Sequence, residues 1–356
     1  MRIPHGGVSP RELKSMGVSA GRFIDFSVNI NPLGTSPSAM DAIARLDPSS
    51  YPDPDSGEIR EALARMTGVA PGQIVVGNGS TELIYLLAHT YLNKGDRAVI
   101  LSPTFGEYEA ACRLVVAQIE IIHSKEEDGF RWDAGGVGAA CRRIHLLRPA
   151  LTFLCNPNNP TGVYLERAAV AELAAAAGDG LLVLDEAYIS FVESACPDSS
   201  GLLEMGNLVI LRSLTKDHAL AGLRLGYALC PPAVADALVM GQPSWSVNAA
   251  AQAAGLASLA DRAHLSRGVA CASEGKRYLD GALRALGLKV TPSAANFLLV
   301  EVGDGAEVRR RLLHRGFGVR DCASFGLPRH IRIGARAVPE CQKLIAALKE
   351  VLGRAS

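Results

Sequence analysis

The middle of the chain alternates short unbroken apolar runs with stretches of helical periodicity. IVVG at 74–77 is followed by the helical pattern STELIYLLAHTYL at 80–92, and AVILS at 98–102 by FGEYEAACRLV. LTFLCN at 151–156 leads through a Pro/Asn turn into an alanine-rich helix at 168–177. LLVLDEAY at 181–188 and LVILRSLTK at 208–216 are apolar throughout and end in polar residues. Strands that are apolar on both faces are buried on both, and strands separated by helices pair in parallel. The pattern therefore predicts an α/β fold with a mainly parallel sheet covered by helices. In such sheets ligands bind beyond the strand carboxyl ends, where the polar clusters of this chain fall.

The last third reads differently. A helical stretch at 250–286 precedes LKVTPS, NFLLVEV, the helical AEVRRRLLHRG, then FGVRD, HIRIGA and a closing helix PECQKLIAALKEVL. This mixture predicts a smaller α+β unit. We expect an N-terminal arm at 1–35 that returns to the small unit, a large domain at 36–245 and a small domain at 246–356.

Composition narrows the chemistry. With 356 residues and 48% hydrophobic content the chain holds enough for about two well-buried domains. Its 36 Lys+Arg balance 36 Asp+Glu. That balance argues against a polybasic partner for nucleic acid or anionic membrane, so any anion is held by a few placed groups. None of the eight cysteines forms a CxxC pair, so no metal site is expected, and free thiols suit a reducing cytoplasm. The N-terminus lacks the apolar core of a signal peptide, and no apolar run reaches membrane-spanning length.

Four clusters carry chemistry. Gly77-Asn78-Gly79-Ser80-Thr81-Glu82 joins a strand to a helix, so its glycines and the helix start suit a phosphate as well as an ordinary capped turn. Asn156-Pro157-Asn158-Asn159-Pro160-Thr161-Gly162 is a stiff turn with amides projecting from it. Asp185-Glu186-Ala187-Tyr188 ends an apolar strand, where a carboxylate is costly unless paired; one such partner is a protonated ring nitrogen. Ser213-Leu214-Thr215-Lys216 ends another, with Arg224 between glycines eight residues on. A lysine beside a sheet end is a Schiff-base candidate, and a serine with an arginine suits a phosphate.

In this order the four clusters resemble the fold-type I pyridoxal 5′-phosphate enzymes of the aspartate aminotransferase superfamily, from about residue 20 to the C-terminus. The resemblance implies that Lys216 is the lysine bonded to the cofactor and that Asp185 pairs with the pyridine nitrogen. It implies that Asn159 and Tyr188 contact the phenolic oxygen. Gly79, Ser80, Thr81, Ser213 and Arg224 are then the phosphate ligands, and Tyr108 the aromatic that stacks on the ring. Tyr51, in Tyr51-Pro52-Asp53-Pro54, looks like the residue that reaches the neighbouring subunit's cofactor phosphate, which implies a homodimer with shared sites.

Two subfamilies compete: threonine-phosphate decarboxylases of cobalamin biosynthesis and histidinol-phosphate aminotransferases working with 2-oxoglutarate. His5-Gly6-Gly7, the 25–34 segment DFSVNINPLG, Ser244-Trp245-Ser246-Val247-Asn248 and Arg320-Asp321-Cys322 with Gly326-Leu327-Pro328 are similar to the decarboxylases. Decarboxylation of O-phospho-L-threonine, or of a close analogue such as O-phospho-L-serine, to an aminoalcohol phosphate is therefore the expected activity. Arg320 and Arg332 are expected to bind the substrate carboxylate, and His5 and Asn31 its phosphate. Asp217-His218 departs from those decarboxylases, and a charge beside Lys216 is expected to perturb its pKa.

Overall fold

The computed structural model describes residues 6–19, 21, 23–193 and 198–353. After a short helix α1 (Pro10–Ser15) and a two-residue strand β1 (Ile24–Asp25) come helices α2 (Pro37–Ala44) and α3 (Gly57–Thr67). The central sheet then builds from β2 (Ile74–Gly77), β3 (Arg97–Ser102), β4 (Gln118–His123), β5 (Leu151–Cys155), β6 (Leu181–Asp185), β7 (Leu208–Ser213) and β8 (Gly226–Leu229). Its helices are α4 (Gly79–Tyr91), α5 (Glu107–Leu114), α6 (Ala134–Leu147), α7 (Arg167–Ala177), α8 (Pro232–Gly241) and α9 (Ala249–Ala260).

The seven strands lie in the order β2-β8-β7-β6-β5-β3-β4. Pairs from β7 to β4 are parallel, and β8 runs antiparallel to both its neighbours. Every residue of β5 and β6 is buried, because helices cover both faces. Successive side chains point to opposite faces, so Val183 packs with Leu83, Leu87 and Phe153 under α4 and α5. Its neighbours Leu182 and Leu184 pack with Leu154, Val170 and Leu173 under α7. The apolar runs mark the central strands. They do not mark β4, an edge strand whose residues are intermediate or exposed, or β8, only four residues long.

The smaller unit has a four-stranded sheet in the order β12 (Arg320–Asp321), β13 (His330–Gly334), β10 (Phe297–Glu301), β9 (Lys289–Val290). Its helices are α10 (Arg262–Ala285), α11 (Gly305–Leu313) and α12 (Val338–Val351). Leu279, Leu298, Ile331, Ile333, Leu344 and Leu348 form its core, and Phe26 from the arm joins them. The arm is tied on further by parallel pairing of β1 with β11 (Phe317–Gly318).

The helical stretch at 250–286 divides at Asp261, whose carboxylate accepts the His264 N–H and caps α10. Helix α9, placed beyond residue 245 by the sequence division, buries Ala251 and Ala254 in the core of the large sheet with Ile59 and Leu63. We therefore put the change of unit at the α9–α10 break. Among the described residues no helix is long and apolar enough to cross a membrane.

Candidate active site

The carboxyl ends of β5, β6 and β7 open onto a cavity. Ser80, Thr81, Tyr108, Asn159, Asp185, Tyr188, Ser213, Lys216 and Arg224 all line it, so the topology brings together residues spread over some 140 positions of sequence.

Lys216 follows β7 and is half-buried in the cavity wall. Burial pushes its amine down to about 8, Arg332 and Arg224 push the same way, and Asp185 opposes them. Asp217 takes no part in that shift. Its carboxylate accepts from Ser190 Oγ at 2.7 Å and from the His218 N–H at 2.9 Å. The expected perturbation by Asp217 is thus corrected: burial, Arg332, Arg224 and Asp185 are what act on the amine. In cofactor-free protein, labelling of Lys216 by a small amine-reactive reagent should rise with pH around a midpoint near 8. A midpoint at the ordinary lysine value, about 10.4, would show that burial does not activate the amine.

Asp185 is the last residue of β6 and only 3% exposed. Its Oδ2 accepts from the Tyr108 hydroxyl at 2.7 Å and its Oδ1 from the Ala187 N–H at 3.0 Å. Burial pushes this carboxyl up, while those hydrogen bonds and Lys216 hold it down. Tyr108 is fully buried, with its ring stacked on Phe153 at 5.0 Å between centroids. It therefore forms part of the cavity wall and also orients Asp185.

The start of α4 supplies an anion cradle. Its first turn has no side-chain cap. Gly79 has φ +77°, and a Cβ there would lie 2.7 Å from Nη2 of Arg224, so glycine lets the guanidinium approach the helix start. A Cβ on Gly226 would likewise meet the Ser80 nitrogen at 2.4 Å. Ser213 Oγ and Thr215 Oγ1 lie 2.7 Å apart. Thr215 and Phe105 also line the cavity; the first was visible in the lysine motif, but nothing in the sequence singled out its side chain.

Arg332 donates to Asn159 Oδ1 and, through Nη2, to the Ser27 carbonyl at 2.8 Å. That leaves the Asn159 N–H₂ to donate. Asn29 Nδ2 donates to the Tyr188 hydroxyl at 3.3 Å, which leaves the Tyr188 O–H to donate as well. Arg320 and Arg332 are cross-strand neighbours on β12 and β13, 6% and 5% exposed. The Arg332 guanidinium lies 5.3 Å from the Phe297 ring centroid. Arg320 lies 5.5 Å from that of Phe325 and donates to Ser324 Oγ at 2.6 Å.

One expected substrate ligand is not brought into this cluster. The Asn31 side chain donates to the Asp217 carbonyl and accepts the Leu33 N–H, so backbone groups occupy the amide assigned to a substrate phosphate. His5 lies outside the described residues. Tyr51 stands apart from the cavity, 82% exposed, with its ring 4.9 Å from that of Trp245.

A flat ring with a protonatable nitrogen, a phenolic oxygen and a phosphate fits what this cavity offers. Among the described residues no cation is ion-paired to the buried carboxylate, on which Lys216 acts by charge alone; two donors are left for an oxygen; and an uncapped helix start carries hydroxyls and a guanidinium. These are the partners of pyridoxal 5′-phosphate, which supplies an electron sink for bonds at an amine-bearing carbon.

Comparison with known proteins agrees. Residues 22–349 match the family Aminotransferase class I and II. Histidinol-phosphate aminotransferase of Symbiobacterium thermophilum is 38% identical over 93% of this chain and 91% of its own length. That of Moorella thermoacetica is 37% identical over 92% and 85%. The crystal structure of histidinol-phosphate aminotransferase from Sinorhizobium meliloti in complex with pyridoxal-5′-phosphate covers 98% of this chain and 95% of its own. It superposes with a TM-score of 0.88 at 28% identity. L-threonine-O-3-phosphate decarboxylase from Porphyromonas gingivalis shares the fold, with a TM-score of 0.80 at 27% identity, 93% of this chain and 99% of its own.

These relatives overturn the expected phosphothreonine decarboxylation and, with it, a lyase role in cobalamin biosynthesis. Several residues of the segments that suggested it make scaffold contacts. Asn31 binds backbone, Ser246 donates to Glu82, and Asn248 caps α9 through the Ala251 N–H. None of these contacts distinguishes loss of a carboxylate from transfer of an amine. The chain belongs to the aminotransferase class I and II family, whose pyridoxal-phosphate cofactor its cavity is built to hold.

Proposed function

We propose that this enzyme transfers an amino group between histidinol phosphate and 2-oxoglutarate. The observation that carries the reading is the 38% identity to a histidinol-phosphate aminotransferase over nearly the whole of both chains. The paired, buried Arg320 and Arg332 suit it. Histidinol phosphate has a phosphate ester where glutamate has its α-carboxylate. The site must accept one anion in one half of the cycle and the other in the second, and two adjacent guanidiniums can do so.

In this reading Ser80, Thr81, Ser213, Thr215 and Arg224 hold the cofactor phosphate. Asp185 holds a proton at the ring nitrogen, and Tyr188 and Asn159 donate to the phenolic oxygen. Arg332 and Arg320 fix the substrate anion, so that the Cα–H bond faces Lys216. The Lys216 amine, with its affinity for protons lowered by burial, removes that proton and returns one. Histidinol phosphate has no carboxylate to lose, so the bond broken at Cα is the one to hydrogen. Tyr51, exposed beside Trp245, is the residue we assign to the partner subunit's phosphate in a homodimer.

Incubation with histidinol phosphate and 2-oxoglutarate should form glutamate in equimolar amount with the ketone product. Release of CO₂ from phosphothreonine, with no glutamate formed from histidinol phosphate, would reverse the reading.

A further inference from the structure

In the arm segment Ser27-Val28-Asn29-Ile30-Asn31, every second residue is deeply buried: Ser27 and Asn29 at 2% and Asn31 at 1% exposure. Each touches a different part of the site. The Ser27 carbonyl accepts from Arg332, Asn29 donates to Tyr188, and Asn31 reaches the lysine loop.

We propose that Asn31 is a positioning residue for the reactive amine of Lys216. The Asn31 backbone N–H donates to the Lys216 carbonyl at 2.8 Å, and its side-chain Nδ2 donates to the next carbonyl, Asp217, at 2.9 Å. Two successive peptide carbonyls are thereby gripped by one residue from the far end of the chain. Asn31 Oδ1 is held in turn by the Leu33 N–H at 2.9 Å, so the amide cannot rotate without losing a bond at each end. Beside these, the Lys216 carbonyl accepts, among the described residues, only from the Ala219 N–H, at 3.4 Å. A lysine side chain is long and freely rotating, so the reach of its amine is set by how firmly its own backbone is fixed. Ser190 secures the same loop from the opposite side through the Asp217 carboxylate.

Space for this clamp is made in α10. A Cβ at Gly268 would lie 2.0 Å from Asn31 Nδ2 and 2.2 Å from Oδ1. Gly268 is therefore the second half of the device, and it can be altered without touching the site. Alanine is the better helix former, so any loss on Gly268→Ala comes from the displaced amide and not from the helix.

The inference rests on Lys216 being the cofactor-bonding lysine, and the two fail separately. Loss of the long-wavelength absorbance band in Lys216→Ala holoenzyme preparations supports that basis, and its retention overturns it. For the clamp, Asn31→Ala, Gly268→Ala and the double variant are compared as holoenzymes. Each single variant should keep bound cofactor and lower kcat about tenfold, with KM for the amino donor within about twofold. The pH midpoint of the absorbance band should move by about half a unit. The double variant should be no worse than the worse single, because both changes break one contact. Additive losses, or a fall in melting temperature with kcat and the pH midpoint unmoved, would overturn the proposal.

Discussion

Lys216→Ala should lower turnover by at least about 10⁴-fold, because it removes both the covalent anchor and the acid–base group in one change. Cofactor can still enter, since the helix start, Arg224, Asp185 and Tyr108 are intact, but the long-wavelength band should be absent. An active variant would remove the lysine from the chemistry altogether. The same position gives a second expected result, on stability. In cofactor-free protein the amine has a pKa near 8, below its unfolded value of 10.5. For a base shifted down on folding, the penalty is fully present below pH 8 and is relieved as pH rises from 8 towards 10.5. The shift corresponds to about 3 kcal/mol. Cofactor-free Lys216→Met, which keeps the volume and drops the charge, should therefore melt higher than the parent at pH 7, and the gain should shrink by pH 10. An unchanged melting point at pH 7 would mean that the buried ammonium costs nothing.

Arg332→Ala should raise KM for glutamate and for histidinol phosphate together. Charge-assisted hydrogen bonds are worth roughly 1.5–3 kcal/mol each, so loss of a two-pronged contact corresponds to about 10²–10⁴-fold in kcat/KM. The damage extends to kcat. The guanidinium also fixes Asn159 Oδ1 and the Ser27 carbonyl, and its removal leaves both without that donor in a buried site. Arg332→Lys should recover little, since an ammonium cannot donate to the anion, Asn159 and Ser27 in one plane. If KM rises for glutamate and stays level for histidinol phosphate, the two anions use different guanidiniums, and Arg320→Ala should show the opposite split.

The central strands were legible because a parallel sheet covered on both faces demands unbroken apolar runs, as in Leu151–Cys155 and Leu181–Asp185. The edge strand Gln118–His123 was not, because one side of it meets solvent and its residues are mixed. Gly226–Leu229 was hidden by its brevity and by starting at the glycine that ends the Arg224 motif. The residues we propose hold the cofactor were legible for a different reason, as short motifs in an order that resembles a known family. A phosphate, a pyridinium and a reactive amine each require particular residue types at a strand end or helix start, and strand ends can be read locally. Substrate choice was not legible in this way. Much of what resembles phosphothreonine decarboxylases builds the arm, a turn and a helix cap, and Arg320, in the remaining segment, suits a carboxylate or a phosphate alike, so none of them reports which bond at Cα breaks.

The sequence alone thus determined the layered α/β core, through local periodicity, and, through a resemblance carried by short motifs, most of the groups that line the cavity we propose holds pyridoxal phosphate. Tertiary structure decided what those groups touch. It put Tyr108 on Asp185, turned Asp217 away to Ser190, and set Arg332 against Asn159. It also gave Asn31 to the lysine backbone and not to a substrate. Each of these contacts joins residues that lie 27 to 186 positions apart in the chain. No local pattern encodes such a pairing, because it depends on where separate elements come to rest once their apolar faces are buried.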